Sequence, residues 1–434
     1  MTKKASNKKT DKKDSPDIPD ETPELIDPIS FDELKTIYND NFPKLWESYS
    51  AALAVMGQHF IDDISNPFTL FFQGPPSGGK TTVLDCFMGL NDYIYWSDSF
   101  TAASFVSHST TTPKNQLKDI DMLPKIRHKT LITPELSTLF QDRKDSLNQT
   151  MGILTRVLDG NGLMRDTGAH GSRGYQGDYF FTWLGATTPI QPHVWKLMGS
   201  IGARMYFLNV NTGDDSENEM LDQIMGNSHK KKVIMCQKAT KAFFIGMGAK
   251  HPEKVHWNRE NENREIMKVI VKLAKLLARL RGTVDIKKTK NDETGESDFA
   301  FTQPIIEKPS RATSMLYNLA RGNAIINGRK FLKFEDLPIV IEIALSSAPF
   351  DRTGVFNALL ERGILTSEET ADILNCSIPI ARNIIKRLSV LGMVDVEDKI
   401  EGFGGRATKV ISLTYDLMWF RGKDFQAMRK GIYE

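Results

Sequence analysis

A glycine-rich segment with a single lysine has the most specific spacing in the chain. It reads Gly74-Pro-Pro-Ser-Gly-Gly-Lys-Thr-Thr82 and fits the pattern G-x-x-x-x-G-K-[ST]. In such a segment backbone N–H groups bind phosphate oxygens, the lysine supplies a mobile positive charge, and the threonine hydroxyl binds Mg²⁺. The sequence therefore predicts a cradle for nucleotide phosphates, called the phosphate loop below. The residues assigned to it are Gly74, Pro75, Pro76, Ser77, Gly78, Gly79, Lys80, Thr81 and Thr82.

The neighbouring residues predict the elements that hold this loop in place. The apolar run from Phe68 to Phe72 is typical of a buried strand, and residues Lys80 to Gly89 have the apolar spacing of a helix. A chance glycine-rich turn is the alternative. A strand before the loop and a helix after it favour the phosphate loop, because that context is what such a motif requires.

Glu135 is the candidate catalytic carboxylate. It follows a second apolar strand, in the sequence Lys129-Thr-Leu-Ile-Thr-Pro-Glu135. A nucleotide-hydrolysing site needs a carboxylate beside the phosphate loop to activate water and hold Mg²⁺, so we assign both roles to Glu135 and assign Thr81 as the second metal ligand. The alternative is a carboxylate that only stabilises the start of a helix. The acid usually found just before this glutamate is absent, or Thr133 takes its place.

A further buried strand ends in two hydroxyl groups. The run Tyr179-Phe-Phe-Thr-Trp-Leu-Gly-Ala-Thr-Thr-Pro189 is apolar until Thr187 and Thr188. Several apolar runs separated by helical segments predict an α/β fold with a parallel sheet flanked by helices. In such a sheet Thr187 or Thr188 could touch the γ-phosphate or the attacking water.

Composition limits the function classes. The chain has 434 residues, and 56 Lys and Arg nearly balance 54 Asp and Glu, so net charge alone does not predict nucleic-acid binding. Three scattered cysteines cannot form a disulfide framework, and we expect reduced thiols. The first 20 residues are polar and no apolar run is long enough to span a bilayer, so we expect a cytoplasmic protein without membrane contact.

Changes in composition divide the chain into four parts. Residues 1–28 are rich in lysine, acids and proline, which predicts a disordered tail; nucleic-acid contact by its lysines is the alternative to simple solvation. Residues 29–213 hold the predicted sheet, and residues 214–350 have mainly helical patterns. Residues 351–434 form a separate C-terminal unit by the same criterion.

A glycine-rich stretch between residues 159 and 178 predicts a hairpin with cationic tips. Six glycines surround Arg165, His170, Arg173 and Tyr175. Cationic and aromatic side chains on such a hairpin suit a nucleic-acid backbone. A surface loop whose glycines serve only its turns is the alternative.

The phosphate loop resembles that of AAA+ ATPases, and two further segments extend the resemblance over residues 45–350. Leu184-Gly-Ala-Thr-Thr-Pro189 is similar to the end of the sensor 1 strand. Pro309-Ser-Arg311, followed by Gly328-Arg329 and Glu335-Asp336, is similar to the helical lid and its sensor 2 arginine. Pro134 stands where this family has aspartate, so hydrolysis could be slow or the site could serve as a switch.

The resemblance implies roles for ligands and for two arginines. It implies ATP and Mg²⁺ as cofactors and assembly into a ring or partial ring. Arg311 would contact the γ-phosphate from the lid, and Arg204 would be the arginine finger that reaches a neighbouring subunit. A solvated turn arginine is the alternative for Arg204. In AAA+ helicases of the minichromosome-maintenance and superfamily 3 types, a hairpin between the corresponding strands faces the central pore, which would make Arg165, His170 and Arg173 substrate contacts.

The C-terminal unit resembles a winged-helix domain. Three short helical patterns are followed by two apolar strands that flank a glycine-rich segment, with helix-turn-helix spacing between the second and third helices. This resemblance implies DNA as a partner; a protein partner is the alternative, since winged helices also bind proteins. The residues assigned to DNA contact are Arg382, Lys386, Arg387, Arg406 and Lys409.

The sequence thus predicts an AAA+ ATPase that couples ATP binding and hydrolysis to DNA binding or remodelling, as a helicase, loader or initiator would. The alternative is an ATP-driven protein remodeller or a nucleotide-gated regulator whose C-terminal unit binds a protein.

Overall fold

The computed structural model describes residues 27–107, 116–140, 144–167, 171–202, 204–213, 216–217, 220–221, 225, 228–290, 297–400 and 407–432. The predicted tail lies almost entirely outside these residues, and so do His170 and Arg406. Within the described residues, no helix combines the length and the apolar character that crossing a bilayer requires.

Helices and strands alternate through the first half of the chain. In order they are α1 (Phe31–Asn41), α2 (Trp46–Gly57), β1 (Phe68–Gln73), α3 (Lys80–Asp85), β2 (Ile94–Trp96), α4 (Leu117–Ile120), α5 (Met122–Ile126), β3 (Thr130–Thr133), α6 (Ser137–Phe140), α7 (Lys144–Val157), β4 (Gly162–Thr167), β5 (Gly171–Gln176), β6 (Thr182–Thr187), α8 (Pro192–Ile201) and β7 (Met205–Asn209).

The second half is mainly helical. Its elements are α9 (Ser228–Lys250), α10 (Arg264–Arg281), β8 (Ile286–Lys290), β9 (Ser297–Phe301), α11 (Ser310–Ile326), α12 (Leu337–Ser346), α13 (Phe350–Arg362), β10 (Ile364–Thr366), α14 (Ser367–Ile373), α15 (Ile378–Val390), β11 (Val394–Ile400), β12 (Ala407–Leu413) and α16 (Lys423–Arg429).

A five-stranded parallel sheet lies at the centre, in the order β2-β3-β6-β1-β7. Every residue of β1 and β6 is buried, so both faces of the sheet are covered, as is usual for parallel sheets. The strands are joined through helices on the two faces. The predicted α/β fold, a parallel sheet flanked by helices, is confirmed.

Alternate residues of each strand pack into two separate apolar cores. Leu70 and Phe72 of β1 belong to a large core shared with α1, α2, α3 and helices α9 to α13. Phe71 points to the other face, where it packs against Trp183 and the helices α5, α7 and α8. The period-2 alternation of a strand accounts for this division.

Helix α3 is shorter than the sequence predicts. It ends at Asp85, and the backbone turns tightly afterwards, with the Phe87 N–H bonded to the Leu84 carbonyl and Met88 N–H to Asp85. Gly89 then has φ of 90°, a conformation that ends a helix. The apolar spacing from Phe87 onwards serves burial in the large core rather than helix continuation.

The C-terminal unit packs directly on the helical region. Its helix α13 contributes Val355 and Phe356 to the large core, and the Arg352 guanidinium donates 2.6 Å hydrogen bonds to the carbonyls of Leu280 and Gly282. The start of α13 at Phe350 is close to the predicted domain boundary at residue 350. The division into four domains stays a prediction, because the apolar core continues across this boundary.

Helices α2 and α11 approach each other with their backbones in contact. A Cβ atom at Gly322 would lie 2.0 Å from the Ala54 carbonyl oxygen, and one at Gly57 would lie 2.4 Å from the Gly322 carbonyl oxygen. Gly57 and Gly322 therefore allow a close backbone contact between α2 and α11.

We predict that Gly322→Ala lowers the free energy of unfolding by about 1–3 kcal/mol, because the new methyl group overlaps backbone that cannot move aside. Gly152→Ala is the matched control, since Gly152 is exposed in α7 and nothing lies within 4 Å of its added Cβ. That variant should be neutral or more stable. Denaturant titration measures both, and equal behaviour of the two variants would show that the helix contact is not tight.

Candidate functional site

The phosphate loop follows β1 with a backbone that only certain residues tolerate. Ser77 and Gly79 have φ of 63° and 81°, and the Gly78 N–H donates to the Pro75 carbonyl at 3.3 Å. A Cβ at Gly79 would lie 2.8 Å from the Leu45 side chain, so both its φ and its surroundings require glycine. The local sequence therefore holds the loop in a tight turn at the end of β1.

Lys80 lies inside this turn. It is 8% exposed, and its ammonium donates to the carbonyl oxygens of Gly74 at 2.9 Å and Pro75 at 2.5 Å. Burial lowers the pKa of Lys80, and the nearby carboxylate of Glu135 opposes this shift. A lysine ammonium beside backbone N–H groups, with the exposed Thr81 next to it, is a donor set that fits nucleotide phosphates and Mg²⁺.

Glu135 lies at the same edge of the sheet as Lys80. It follows β3, its side chain is exposed, and it accepts a 2.6 Å hydrogen bond from the Ser137 N–H at the start of α6. Glu135 therefore stabilises the start of α6, as in the alternative given above. Its charge also counteracts the lowering of the Lys80 pKa by burial. The two roles are compatible, because a carboxylate has further lone pairs.

The end of β6 joins this edge through hydrogen bonds. The Thr187 carbonyl accepts from the Gly74 N–H at 3.3 Å, and the Thr188 N–H donates to the Ser137 hydroxyl at 3.1 Å. The Thr187 hydroxyl is buried and donates to the Thr188 carbonyl at 3.0 Å, whereas Thr188 is partly exposed. Of the two threonines, Thr188 is the one whose hydroxyl is nearer to solvent.

Thr133 faces away from the phosphate loop. Its hydroxyl is buried and accepts a 3.2 Å hydrogen bond from the Trp183 indole, in the smaller of the two cores. The sequence left open whether the acid before Glu135 is absent or replaced by Thr133. The position of the Thr133 hydroxyl does not support replacement.

Arg204 and Arg311 lie together at the opposite edge of the sheet. The Arg204 carbonyl accepts from the Thr69 hydroxyl at 2.9 Å, at the beginning of β1, and the strand from there to Gly74 is about 16 Å long. A Cβ at Gly202 would lie 3.2 Å from an Arg311 guanidinium nitrogen and 3.8 Å from one of Arg204. Because α11 begins at this edge, Arg311 lies away from the phosphate loop of its own chain, and its contact with a γ-phosphate stays a prediction.

The two arginines differ in their surroundings. Arg204 is largely buried and its Nε donates to Asp159 at 2.8 Å, whereas Arg311 is exposed on the first turn of α11. Arg204 is therefore not the simple solvated turn arginine of the alternative reading. Both guanidinium groups lie near Gly202, just before β7, rather than at the phosphate loop.

The predicted hairpin is present as β4 and β5, with Arg165 opposite Arg173. Arg165 donates to the Val106 carbonyl at 3.0 Å, and the Arg173 guanidinium forms an ion pair with the buried Asp121. Arg173 was expected at a cationic tip, but this ion pair holds its guanidinium against the buried Asp121, with 19% of the side chain exposed. His170 lies outside the described residues.

Asp121 is the residue that sequence reasoning missed at this hairpin. Its side chain is fully buried and accepts hydrogen bonds from the Ser107 N–H at 2.8 Å, the Ser107 hydroxyl at 2.7 Å and the Tyr175 hydroxyl at 2.6 Å, besides Arg173. Burial and the Asp121 carboxylate raise the pKa of Tyr175 well above its usual value. A single aspartate between two short helices gives no sequence signal for this cluster.

The remaining DNA candidates lie on the C-terminal unit. Arg382 and Arg387 are exposed on α15 and Lys386 is half-buried there, while Lys409 is exposed on β12. Arg406 lies outside the described residues. The sheet of this unit has the order β10-β12-β11, and the exposed residues Asp395, Glu397 and Asp398 make β11 acidic.

We predict that Asp121→Asn loosens the β4–β5 hairpin, because loss of the carboxylate charge weakens several charge-assisted hydrogen bonds; each such bond contributes about 1.5–3 kcal/mol. Hydrogen exchange of residues 162–167 and 171–176 measures the effect. Asp166→Asn is the control, since Asp166 is exposed on β4 of the same hairpin. Equal exchange rates in the two variants would show that Asp121 does not anchor the hairpin.

Comparison with known proteins gives structural likenesses only. No family model matches the sequence, and no curated protein matches it. A full-length MCM homolog from Methanopyrus kandleri is 12% identical with a TM-score of 0.38, covering 73% of this chain and 59% of that one.

The active helicase Cch of SCCmec type IV is 11% identical with a TM-score of 0.38, covering 94% and 73%. The C-terminal region of NrS-1 is 12% identical with a TM-score of 0.30, covering 90% and 78%. At such low identity and TM-score these structures establish no family for the chain.

Proposed function

We propose that this chain is an ATP hydrolase of the AAA+ type that couples ATP binding and hydrolysis to DNA binding or remodelling. The observation that carries the proposal is the position of Lys80 and Glu135 at one edge of the parallel sheet. Lys80 lies in a loop whose backbone conformation suits phosphate binding. Ligands of α/β sheets commonly bind at this carboxyl edge.

The described residues suit distinct tasks at that site. The loop N–H groups and Lys80 bind the phosphates, with the ammonium exchanging the carbonyls of Gly74 and Pro75 for phosphate oxygens. Thr81 and Glu135 would hold Mg²⁺, which neutralises charge on the phosphates when bound. Glu135 accepts the proton of the attacking water, and Thr188 orients that water by a hydrogen bond.

Arg204 and Arg311 suit a role across a subunit boundary. Since both lie at the edge opposite the phosphate loop, each could reach a nucleotide only in a neighbouring copy of the chain. An arginine supplied in this way stabilises charge on the transferring phosphoryl group. This placement supports a ring or partial ring in which one subunit completes the site of the next.

The C-terminal unit supports DNA as the partner through the cations of α15. Its three helices and its small sheet have the order of elements expected for a winged helix. The alternative is a protein remodeller or nucleotide-gated regulator whose C-terminal unit binds a protein. It is favoured by the exposed acids of β11, since Asp395, Glu397 and Asp398 would repel phosphates.

Two substitutions separate binding from hydrolysis. Lys80→Ala should lose nucleotide binding and hydrolysis together, because it removes the cation inside the loop. Glu135→Gln should keep binding and slow hydrolysis by about 10²–10⁴-fold, the usual contribution of a general base. Fluorescent ATP analogues and phosphate release measure the two steps.

Lys241→Ala, an exposed lysine of α9, is the control for this experiment. Unchanged binding and hydrolysis in Lys80→Ala would contradict the proposed ATPase site. Unchanged hydrolysis in Glu135→Gln alone would move the general base to another residue.

A mixing experiment tests the arginines. Arg311→Ala and Lys80→Ala should each be inactive alone, and mixing them should restore hydrolysis, because the Lys80→Ala subunit offers intact arginines to the intact loop of its neighbour. Arg264→Ala, an exposed arginine at the start of α10, should stay active alone. Mixtures no more active than the two separate variants would exclude completion of the site by a neighbour.

A further inference from the structure

A large cleft separates the sheet and α8 from the C-terminal unit. Its volume is about 1140 Å³, and its walls come from the start of the phosphate loop, the end of β7, the helices α8, α13 and α15, and Leu374 and Cys376 just after α14. This is slightly larger than the usual volume of ligand pockets in proteins, about 300–1,000 Å³. It therefore has room for several linked units of a flexible polymer.

Cations outnumber acids along the walls. Lys196, Arg281, Arg352 and Arg387 line the cleft together with two carboxylates, Asp285 and Asp351. Lys196 is paired with Asp285 at 2.6 Å, and the guanidinium groups of Arg281 and Arg352 donate to backbone carbonyls, whereas Arg387 is exposed. The walls therefore carry a net positive charge, and Arg387 is the cation placed to bind a phosphate of a polyanion directly.

One wall also carries an exposed aromatic ring. Phe350, the first residue of α13, is 75% exposed although it lines the cleft. A flat apolar ring beside cations is the combination that proteins use to bind single-stranded nucleic acid, with bases stacked on the ring and phosphates near the charges.

The orientation of α15 disfavours duplex DNA at this place. Ile380, Ile384 and Arg387 lie on one face of this helix and line the cleft, so this face looks towards α8. A helix that reads a duplex must enter a major groove about 12 Å wide with its face open to solvent. A single strand needs no such open face.

The cleft shares backbone with the ATPase site. Gly74 and Pro75 line it, and their carbonyl oxygens are the two acceptors of the Lys80 ammonium. A ligand that shifts this stretch of backbone therefore shifts the acceptors of the phosphate-loop lysine.

We propose that this cleft binds a single strand of nucleic acid, with a base stacked on Phe350 and a phosphate bound by Arg387. The inference rests on the proposed function, because it names the site at which DNA meets the ATPase. Strand binding at Gly74 and Pro75 then acts on Lys80 and changes the rate of hydrolysis.

Binding of a fluorescein-labelled oligothymidylate of about 15 nucleotides, measured by anisotropy on the full chain without nucleotide, tests the site. Phe350→Ala should weaken affinity about 5- to 100-fold, the loss of one base stack, while Phe350→Tyr keeps it. Arg387→Ala should lower the salt slope of log K by about 0.7, the share of one phosphate contact on a single strand.

Tyr415→Ala and Arg264→Ala are the matched controls, an aromatic residue 92% exposed and an exposed arginine that do not line the cleft. Unchanged affinity in Phe350→Ala and Arg387→Ala would overturn the inference. A loss of duplex affinity with unchanged single-strand affinity would also overturn it, and would show that α15 reads a duplex.

Hydrolysis measured on the same proteins distinguishes the two proposals. Phe350-dependent strand binding without any ATPase activity of the parent chain would refute the proposed function and keep the cleft assignment. The opposite result is ATPase activity that depends on Lys80 together with strand binding that Phe350→Ala and Arg387→Ala leave unchanged. It would refute the cleft assignment and keep the proposed function.

Discussion

The parallel register of three strands determines where chemistry can occur in this molecule. Ile132 of β3 lies opposite Leu184 of β6, which lies opposite Leu70 of β1, so the three strands end at the same edge. Lys80, Glu135 and Thr188 follow these ends. None of these side chains is close to another in sequence, and only the shared register brings them together.

Sequence reasoning succeeded where a local pattern has one physical solution. The phosphate loop was predictable because glycines at fixed spacing, a lysine and a preceding apolar run leave few other structures. The position of Glu135 was predictable for a related reason, since a carboxylate after a buried strand must lie near the ends of the neighbouring strands, whereas its catalytic role stays a prediction. The same reasoning gave the sheet and its two helical layers, because continuous apolar runs require burial on both faces.

Sequence reasoning could not foresee partners that are distant in sequence. Arg311 was assigned to the γ-phosphate from a lid-like motif, and the direction of α11 places it beside Arg204, at the edge opposite the phosphate loop of its own chain. Arg173 was assigned to a hairpin with cationic tips, but its guanidinium is paired with the buried carboxylate of Asp121. A motif gives residue types and spacing, whereas an ion pair between two residues 52 positions apart in sequence depends on the tertiary fold.

The contact between α2 and α11 has a mechanical consequence. Helix α11 is a continuous helix of 17 residues. It contacts the backbone of α2 at Gly322 near one end and carries Arg311 near the other. These residues are about 16 Å apart along the helix axis at the usual rise per residue. A rotation of about 10° around the Gly322 contact would therefore move Arg311 by about 3 Å, so a small tilt of α11 is enough to change which groups Arg311 can reach.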